Sequence, residues 1–505
     1  MASFAFHRDL REDRARTHKG GLMNSGGLTG GIYKPLNPEQ VDLIHGEALR
    51  LLEEVGMTYE SGQEDVLALV KHAGCRVDRK AMRIFFPRQL IEEMVAQAPG
   101  EFSLYSRDGK NDLHLGKDRV YAGTGGTTVH ILDLDTDEVR QSAVKDIHNV
   151  ARLVEEMKHI HFFQNCCVPN DVPIEHYDLN IAFAAMLGTN KHVMFGCNFE
   201  QGLRDTFRMV ARIAGGEEAL KAKPIFSISA CMIISPLKFC TQSTVNVRTA
   251  AELNVPTTVT SAPMSGSTSP MTMAGTLLQT HAEVLAGITV HQLTRPGAPV
   301  LYGGLPAMAE MRRMGYQGGG VECGIMQAAM HQLSQRVDVP NYASSGLSDS
   351  KISDVQAGWE KAFTTGLAVM GGNNYIHHAA GMLESMQCVA YELYVIDDEI
   401  IGQACKILEG ISTGEDHLAF EAIREAGPGG NYLMSPHTVQ HLRSEYFQGS
   451  GVSDKDGREE WIQKGCLSAR DQARAIARTI LDKPLEPKIL PEIEKEIRSD
   501  FNIFL

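Results

Sequence analysis

Basic charge is scarce in this chain. Its 48 Lys and Arg are outnumbered by 62 Asp and Glu over 505 residues, a formal charge of −14. Nucleic acids and anionic membranes are held by basic stripes, so neither is an expected partner. Long apolar runs are missing too: nothing approaches the roughly 20 residues of a membrane span. Residues 1–31 carry four Arg and no apolar h-region, and read as a flexible arm instead of a secretory leader. Ten Cys are scattered without a CxxC, so no disulfide framework is expected and a reducing cytoplasm fits. The vicinal pair Cys166-Cys167 reads as small buried hydrophobes. Several familiar chemistries lack their signatures. There is no HExxH and no Cys/His cluster at zinc spacing, so no intrinsic metal is expected. Gly123-Thr-Gly-Gly126 and Gly318-Gly-Gly320 fit neither the dinucleotide nor the P-loop pattern, and no GxSxG elbow appears.

What is present is an alternation. Eight short apolar segments, at 119–123, 160–165, 192–196, 225–229, 257–260, 300–303, 341–345 and 374–378, each precede a helical stretch. Strand-helix alternation repeated eight times predicts an α/β fold of the (β/α)8 TIM-barrel type. Such barrels place their chemistry at the carboxyl ends of the strands. Those ends carry Asn165, Ser229, Ser261, Tyr302, Ser345, His377 and His378. Before the barrel, residues 32–117 read as an α+β region with helices over 37–56, 63–73 and 87–98 and a hairpin over 102–115. The barrel spans 118–411. Residues 412–505 form a C-terminal helical extension expected to pack on it.

Polar groups concentrate at two strand ends. Residues 342–360 cover a strand end, a loop and a helix start, with Ser345 and Asp349 nearest the mouth; Asp354 either serves the site or caps the helix. The next strand ends Tyr375-Ile-His-His378 and leads to Glu384. Consecutive strand residues point to opposite faces, so one of His377 and His378 is expected to face the lumen. Phe162 or Phe163, Phe195, Tyr302, Tyr342 and Tyr375 are either core layers or faces for a quaternary ammonium. Cation–π attraction contributes about 0.5–2 kcal/mol per desolvated ring.

Three ordered motifs make the chain recognisable. They are Ser348-Asp-Ser-Lys351…Asp354…Gln356-Ala-Gly358…Glu360, then Ala380-Gly-Met-Leu-Glu384, then Gly427-Pro-Gly-Gly-Asn-Tyr-Leu433…Pro436-His-Thr438. From about residue 27 to 485 the chain resembles the trimethylamine methyltransferase superfamily. The resemblance implies a (β/α)8 barrel that moves a methyl group from a methylated amine to the cobalt of a separate corrinoid protein. Trimethylamine enzymes of that family carry pyrrolysine in the seventh-strand region, here within 344–355, where only standard residues occur. That implies the non-pyrrolysine branch, similar to glycine betaine:corrinoid methyltransferase.

Strand-end position and the chemistry that the resemblance implies suggest roles. His377 and His378 would be catalytic, with Glu384 orienting an imidazole or merely ending a strand. Phe195, Tyr302, Tyr342 and Tyr375 would surround the cation. Ser345, Asp349, Arg312, Arg313 or a histidine would hold the rest of the substrate. The cobalamin would be carried by a partner, because Asp112-Leu-His-Leu-Gly116 and Asp146-Ile-His148 only approximate the carrier motif Asp-x-His-x-x-Gly. A homo-oligomer is expected. Two other readings stay open: a barrel methyltransferase or decarboxylase acting directly on a pterin-type cofactor, and a non-catalytic betaine-binding protein.

Overall fold

The computed structural model describes residues 27–313 and 315–505, so the expected arm lies outside the described residues except for 27–31. Each of the eight expected segments supplies a strand: β1 Arg119–Ala122, β2 Phe163–Gln164, β3 Val193–Gly196, β4 Phe226–Ser229, β5 Thr257–Ser261, β6 Val300–Gly304, β7 Tyr342–Ser344 and β8 Tyr375–His377. Neighbours pair in parallel all the way round. Single bridges, Gly123↔Phe162 and Tyr302↔Asn341, join β1 to β2 and β6 to β7. The ring closes where Tyr375 of β8 pairs with Tyr121 of β1. The helices that follow the strands are α1 Val144–Glu156, α2 Tyr177–Gly188, α3 Glu200–Ala214, α4 Thr241–Leu253, α5 Met273–Thr294, α6 Val321–Arg336, α7 Val355–Gly371 and α8 Tyr391–Glu409.

Strand pleat sorts the side chains into two cores. Val120, Phe163, Val193, Phe195, Phe226, Ala343 and Ile376 face out into the layer shared with helices. Tyr121, Phe162, Met194, Leu301, Tyr342 and Tyr375 face in. The hairpin Phe102–Leu104 with Leu113–Leu115 plugs one end of the lumen: Leu104, Leu113 and Leu115 are fully buried in the inner cluster. Tyr121 Oη accepts the His114 N–H at 3.1 Å and pins the plug to β1. The carboxyl end of the ring is thereby left for chemistry.

Local chemistry fixes the outer elements. Lys191, just before β3, donates to the Val154, Met157 and Ile160 carbonyls at 2.7, 2.6 and 2.5 Å. A cation there satisfies the orphan carbonyls at the negative end of α1, although burial lowers its pKa to about 8. The helix Pro38–Glu54 opens on a capping box in which Asn37 and Gln40 exchange bonds of 2.9 Å. The N-terminal strands Met57–Tyr59, Arg76–Asp78 and Arg83–Phe85 form one sheet with Ile233–Ile234 and Lys238–Phe239 from the loop after β4. In the C-terminal segment, the helix Ala469–Leu481 buries Ala473, Ala477 and Ile480 in the outer core. Among the described residues, no helix is long and apolar enough to cross a membrane.

Leu113→Ala removes a plug side chain from a sealed interior. It is expected to lower unfolding free energy by about 2–5 kcal/mol in a urea titration, since the cavity relaxes only partly. A loss below about 1 kcal/mol would show that the hairpin does not fill the lumen.

Candidate active site

The inward positions of β7 and β8 carry rings: Tyr342 on one strand, Tyr375 and His377 on the other. Phe162 stacks beneath Tyr375 with centroids 3.6 Å apart. Tyr375 and Tyr342 are 5.6 Å apart, and Tyr342 lies against His377 at 4.1 Å. His378 completes the ladder, its centroid 3.6 Å from that of His377. The pleat alone would have sent His378 to the opposite face. Instead its φ is +65°, a left-handed conformation that ends the strand and brings the two rings together. The expectation of a single lumen-facing histidine is corrected on that ground.

The ladder is uncharged at neutral pH. Burial lowers the His377 pKa to about 3 and holds His378 well below the usual histidine range. The same desolvation raises the Tyr342 and Tyr375 phenols. His377 Nδ1–H donates to the Ala343 carbonyl at 2.6 Å, which leaves the lone pair on Nε2. His378 Nδ1 pairs with Ser344 Oγ at 2.8 Å, and the Tyr316 hydroxyl also reaches Ser344. Gln164 Nε2 donates to Tyr342 Oη at 2.6 Å. Gln164 Oε1, Tyr375 Oη and Ser345 Oγ are buried without a hydrogen-bond partner among the described residues. Such groups suit the polar atoms of a bound molecule. Beside them, a Cβ at Gly125 would lie 3.1 Å from His377 Cδ2, and one at Gly123 would lie 2.4 Å from the Phe162 ring. Gly123 and Gly125 thus serve close packing against the ladder.

Two loops frame the mouth, and buried polar groups tie them. Lys361 on α7 donates to Gly346 O at 2.7 Å and to Asp397 Oδ2 on α8 at 2.9 Å. Asp397 Oδ2 also accepts the Gly381 N–H at 2.7 Å, so one ion pair fixes the loops after both β7 and β8. Glu360 accepts Ser348 Oγ at 2.7 Å and the Asp349 N–H at 2.9 Å. Asp354 accepts the Ala357 N–H at 3.0 Å and is a helix cap. Glu384, Ser385 and Met386 all have positive φ, 52°, 51° and 75°. This strained turn is held by hydrogen bonds from the Glu384 and Ser385 N–H groups to Ser350 O and Ser348 O.

The expected residues divide accordingly. Tyr342, Tyr375, His377 and His378 are brought together, with Ser345 adjoining through its N–H to His377 O at 3.1 Å. Asp349 sits at the rim, accepting from Gly318 N–H at 3.2 Å and from Ser385 Oγ. The Glu384 carboxylate bonds to neither imidazole. Phe195 and Tyr302 face away, because Met194 and Leu301 beside them take the inward positions. Phe195 stacks on Phe226 at 5.6 Å, and Tyr302 Oη bonds His281 Nδ1 on α5 at 2.7 Å. Arg312 and Arg313 are exposed at the tip of the hairpin joining Ala307–Glu310 to Gly315–Gln317, where their N–H groups bond to Glu310. Gln164, Ser344 and Tyr316 belong to the site but were not expected there. Counting by twos from Phe162 and Tyr342 would have found the first two. No local signal marks Tyr316.

Residues 8–503 match the family model described as Trimethylamine methyltransferase (MTTB). The chain is 31% identical over 468 residues to the glycine betaine methyltransferase of Desulfitobacterium hafniense (strain Y51), covering 92% of this chain and 96% of that one. It is 33% identical over 454 residues to the trimethylamine methyltransferase MttB of Desulfitobacterium hafniense (strain DSM 10664 / DCB-2), covering 90% of each. The crystal structure of the Methanosarcina barkeri monomethylamine methyltransferase (MtmB) aligns with 88% of this chain and 92% of its own, at 12% identity and a TM-score of 0.47. The chain belongs to the trimethylamine methyltransferase (MTTB) family.

Two predictions follow from the electrostatics of the mouth and its surroundings. Lys361→Met leaves Asp397 buried and uncompensated, and is expected to cost about 3–5 kcal/mol in urea unfolding. Adding Asp397→Leu should recover most of that loss; a double variant no more stable than the single would refute the pairing. Acidification gives the second. His161, His192, His291 and His377 have folded pKa values of about 3, against an ordinary 6.5. Between those values the unfolded chain binds protons that the folded chain refuses. Stability should therefore fall as pH drops below about 6.5, by up to about 1.4 kcal/mol per pH unit for each such histidine. A urea midpoint unchanged between pH 7.5 and 5.5 would contradict this.

Proposed function

We propose that this member of the trimethylamine methyltransferase family moves a methyl group from a quaternary amine to the Co(I) of a corrinoid carried by a separate protein. Glycine betaine or a related betaine is the donor. The observation that carries the reading is the ladder Phe162, Tyr375, Tyr342, His377, His378: stacked rings without charge toward the carboxyl end of a barrel whose other end is plugged.

Aromatic faces attract a quaternary ammonium by cation–π interaction, most strongly where water is excluded. Neutral imidazoles serve that cation better than imidazolium rings, which would repel it. A quaternary nitrogen has no lone pair, so neither a proton nor a Lewis acid is needed to make it leave. When the methyl departs, a neutral tertiary amine remains. Co(I) in the carrier is already a strong nucleophile, so the barrel's contribution is orientation and exclusion of water. Holding the N–CH3 bond in line contributes on the order of 7–11 kcal/mol in well-oriented systems. The buried, unpartnered Ser345 Oγ and Tyr375 Oη are suited to donate to a substrate carboxylate. In the tautomer in which Ser344 Oγ donates to Nδ1, His378 Nε2–H is a further donor. Arg312 and Arg313 are not part of this set.

The test is a spectroscopic screen of N-methylated compounds with Co(I) corrinoid carrier, read as formation of methyl-Co(III). Betaines should support transfer and trimethylamine should not. Transfer without the carrier, or to a pterin, would overturn the reading; so would betaine binding by calorimetry with no methyl-cobalt signal. Within the same assay His377→Ala and His378→Ala should each lower turnover at least tenfold. Tyr375→Leu should raise KM for a betaine more than it lowers kcat.

A further inference from the structure

The third sequence motif, 427–438, builds a cluster of its own in the C-terminal extension. A Cβ at Gly430 would fall 1.9 Å from Ala426 O, so the turn admits only glycine there. Thr438 Oγ donates to Tyr432 O at 2.7 Å, and Pro436 occupies the first turn of α9, Pro436–Glu445. These contacts fix where α9 starts. His437 and His441 then share one face at i, i+4 spacing, toward the short helix Glu415–Leu418.

Four potential metal donors, on Asp416, His417, His437 and Glu445, surround His441. Its Nε2 atom is buried and lacks a well-directed hydrogen bond, with Asp416 Oδ2 3.0 Å away. The His437 ring is centred 4.3 Å from that of His441, and the His417 ring 5.1 Å from it on another side. His437 Nε2–H donates to the main-chain carbonyl of Asp416 at 2.9 Å, and His417 Nε2 lies 3.6 Å from Glu445 Oε1. Ligand atoms of Asp416, His437 and His441 all lie within 4.8 Å of one another, as do those of His417, His441 and Glu445.

We propose that this cluster is a site for a divalent transition-metal ion of the zinc type. His437, His441 and Asp416 are its three protein ligands, and water would take the fourth position. Surface carboxylates ordinarily meet lysine or arginine; here both acids meet imidazoles. Imidazole with carboxylate is a donor set for zinc and its neighbours, whereas calcium and magnesium favour all-oxygen shells. Two histidines one helical turn apart are a recurrent way to present two nitrogens to one ion. Bonds of about 2.0–2.1 Å place tetrahedral ligand atoms roughly 3.3–3.5 Å apart, so side-chain shifts of about 1 Å close the site. Gln440 Nε2, 3.2 Å from Asp416 Oδ2, supplies an outer partner that orients the carboxylate. The ion would staple α9 to Glu415–Leu418, and it does not depend on the methyl-transfer reading.

The test titrates zinc into the chelator-stripped full chain against a chromophoric chelator, with cobalt(II) in parallel for the visible bands of a tetrahedral site. One equivalent should bind with a sub-micromolar dissociation constant. His441→Ala should weaken binding at least a hundredfold and His437→Ala at least tenfold, while His377→Ala at the barrel mouth should leave it unchanged. Circular dichroism establishes that each variant is folded; if His441→Ala is not, His437→Ala and Asp416→Asn carry the comparison. Absence of stoichiometric binding, survival of binding in these variants, or its loss in His377→Ala overturns the proposal.

Discussion

The contact between Tyr342 and Tyr375, with Phe162 beneath, is what the mouth of this barrel depends on. The three rings occupy inward pleat positions on three strands of the closed ring, so none can shift without disturbing strand register. His377 rests on Tyr342 and cannot ionise there without losing its surroundings. His378 follows only because its backbone turns left-handed. Glycines 123 and 125 permit the close approach that keeps these rings in one file. The candidate site's surface is thus an extension of the core, with the same neutral packing, ended where polar donors begin.

Behind that surface lies a buried charge pair. Lys361 and Asp397 are essentially fully exchanged from water for one another and for the backbone groups of Gly346 and Gly381. A buried pair of this kind adds little net stability over an apolar substitute, but breaking it is severe. Its evident effect is on arrangement: the β7 and β8 loops cannot move independently. The left-handed run 384–386 is tolerable for the same reason, being held from Ser348 and Ser350 on the neighbouring loop.

Much of this was legible beforehand because a barrel strand advertises itself twice, by an apolar run and by the helix that follows it. All eight segments are strands, and the hairpin over 102–115 is present, but its place inside the ring had no local signature. Orientation was legible only where register was counted. Tyr302 and Phe195 were expected at the mouth because they lie near strand ends; their neighbours Leu301 and Met194 are the inward residues, and each aromatic belongs to the outer core. Arg312 and Arg313 illustrate a different failure. Their chemistry suited an anionic substrate group, yet they ride on a two-stranded projection whose position depends on tertiary contacts. The consecutive histidines were read by strand geometry, which a single positive φ overrides.

One feature of the architecture bears on how the chain comes to exist at all. Thr58 is hydrogen-bonded to Leu237, 179 positions later, where the amino-terminal sheet takes in strands from the β4 loop. As the nascent polypeptide leaves the ribosome, Met57–Tyr59 must wait with an unsatisfied edge until nearly half of the protein has been made. The leading helices are therefore not a transplantable module, and their final docking is a late, long-range event.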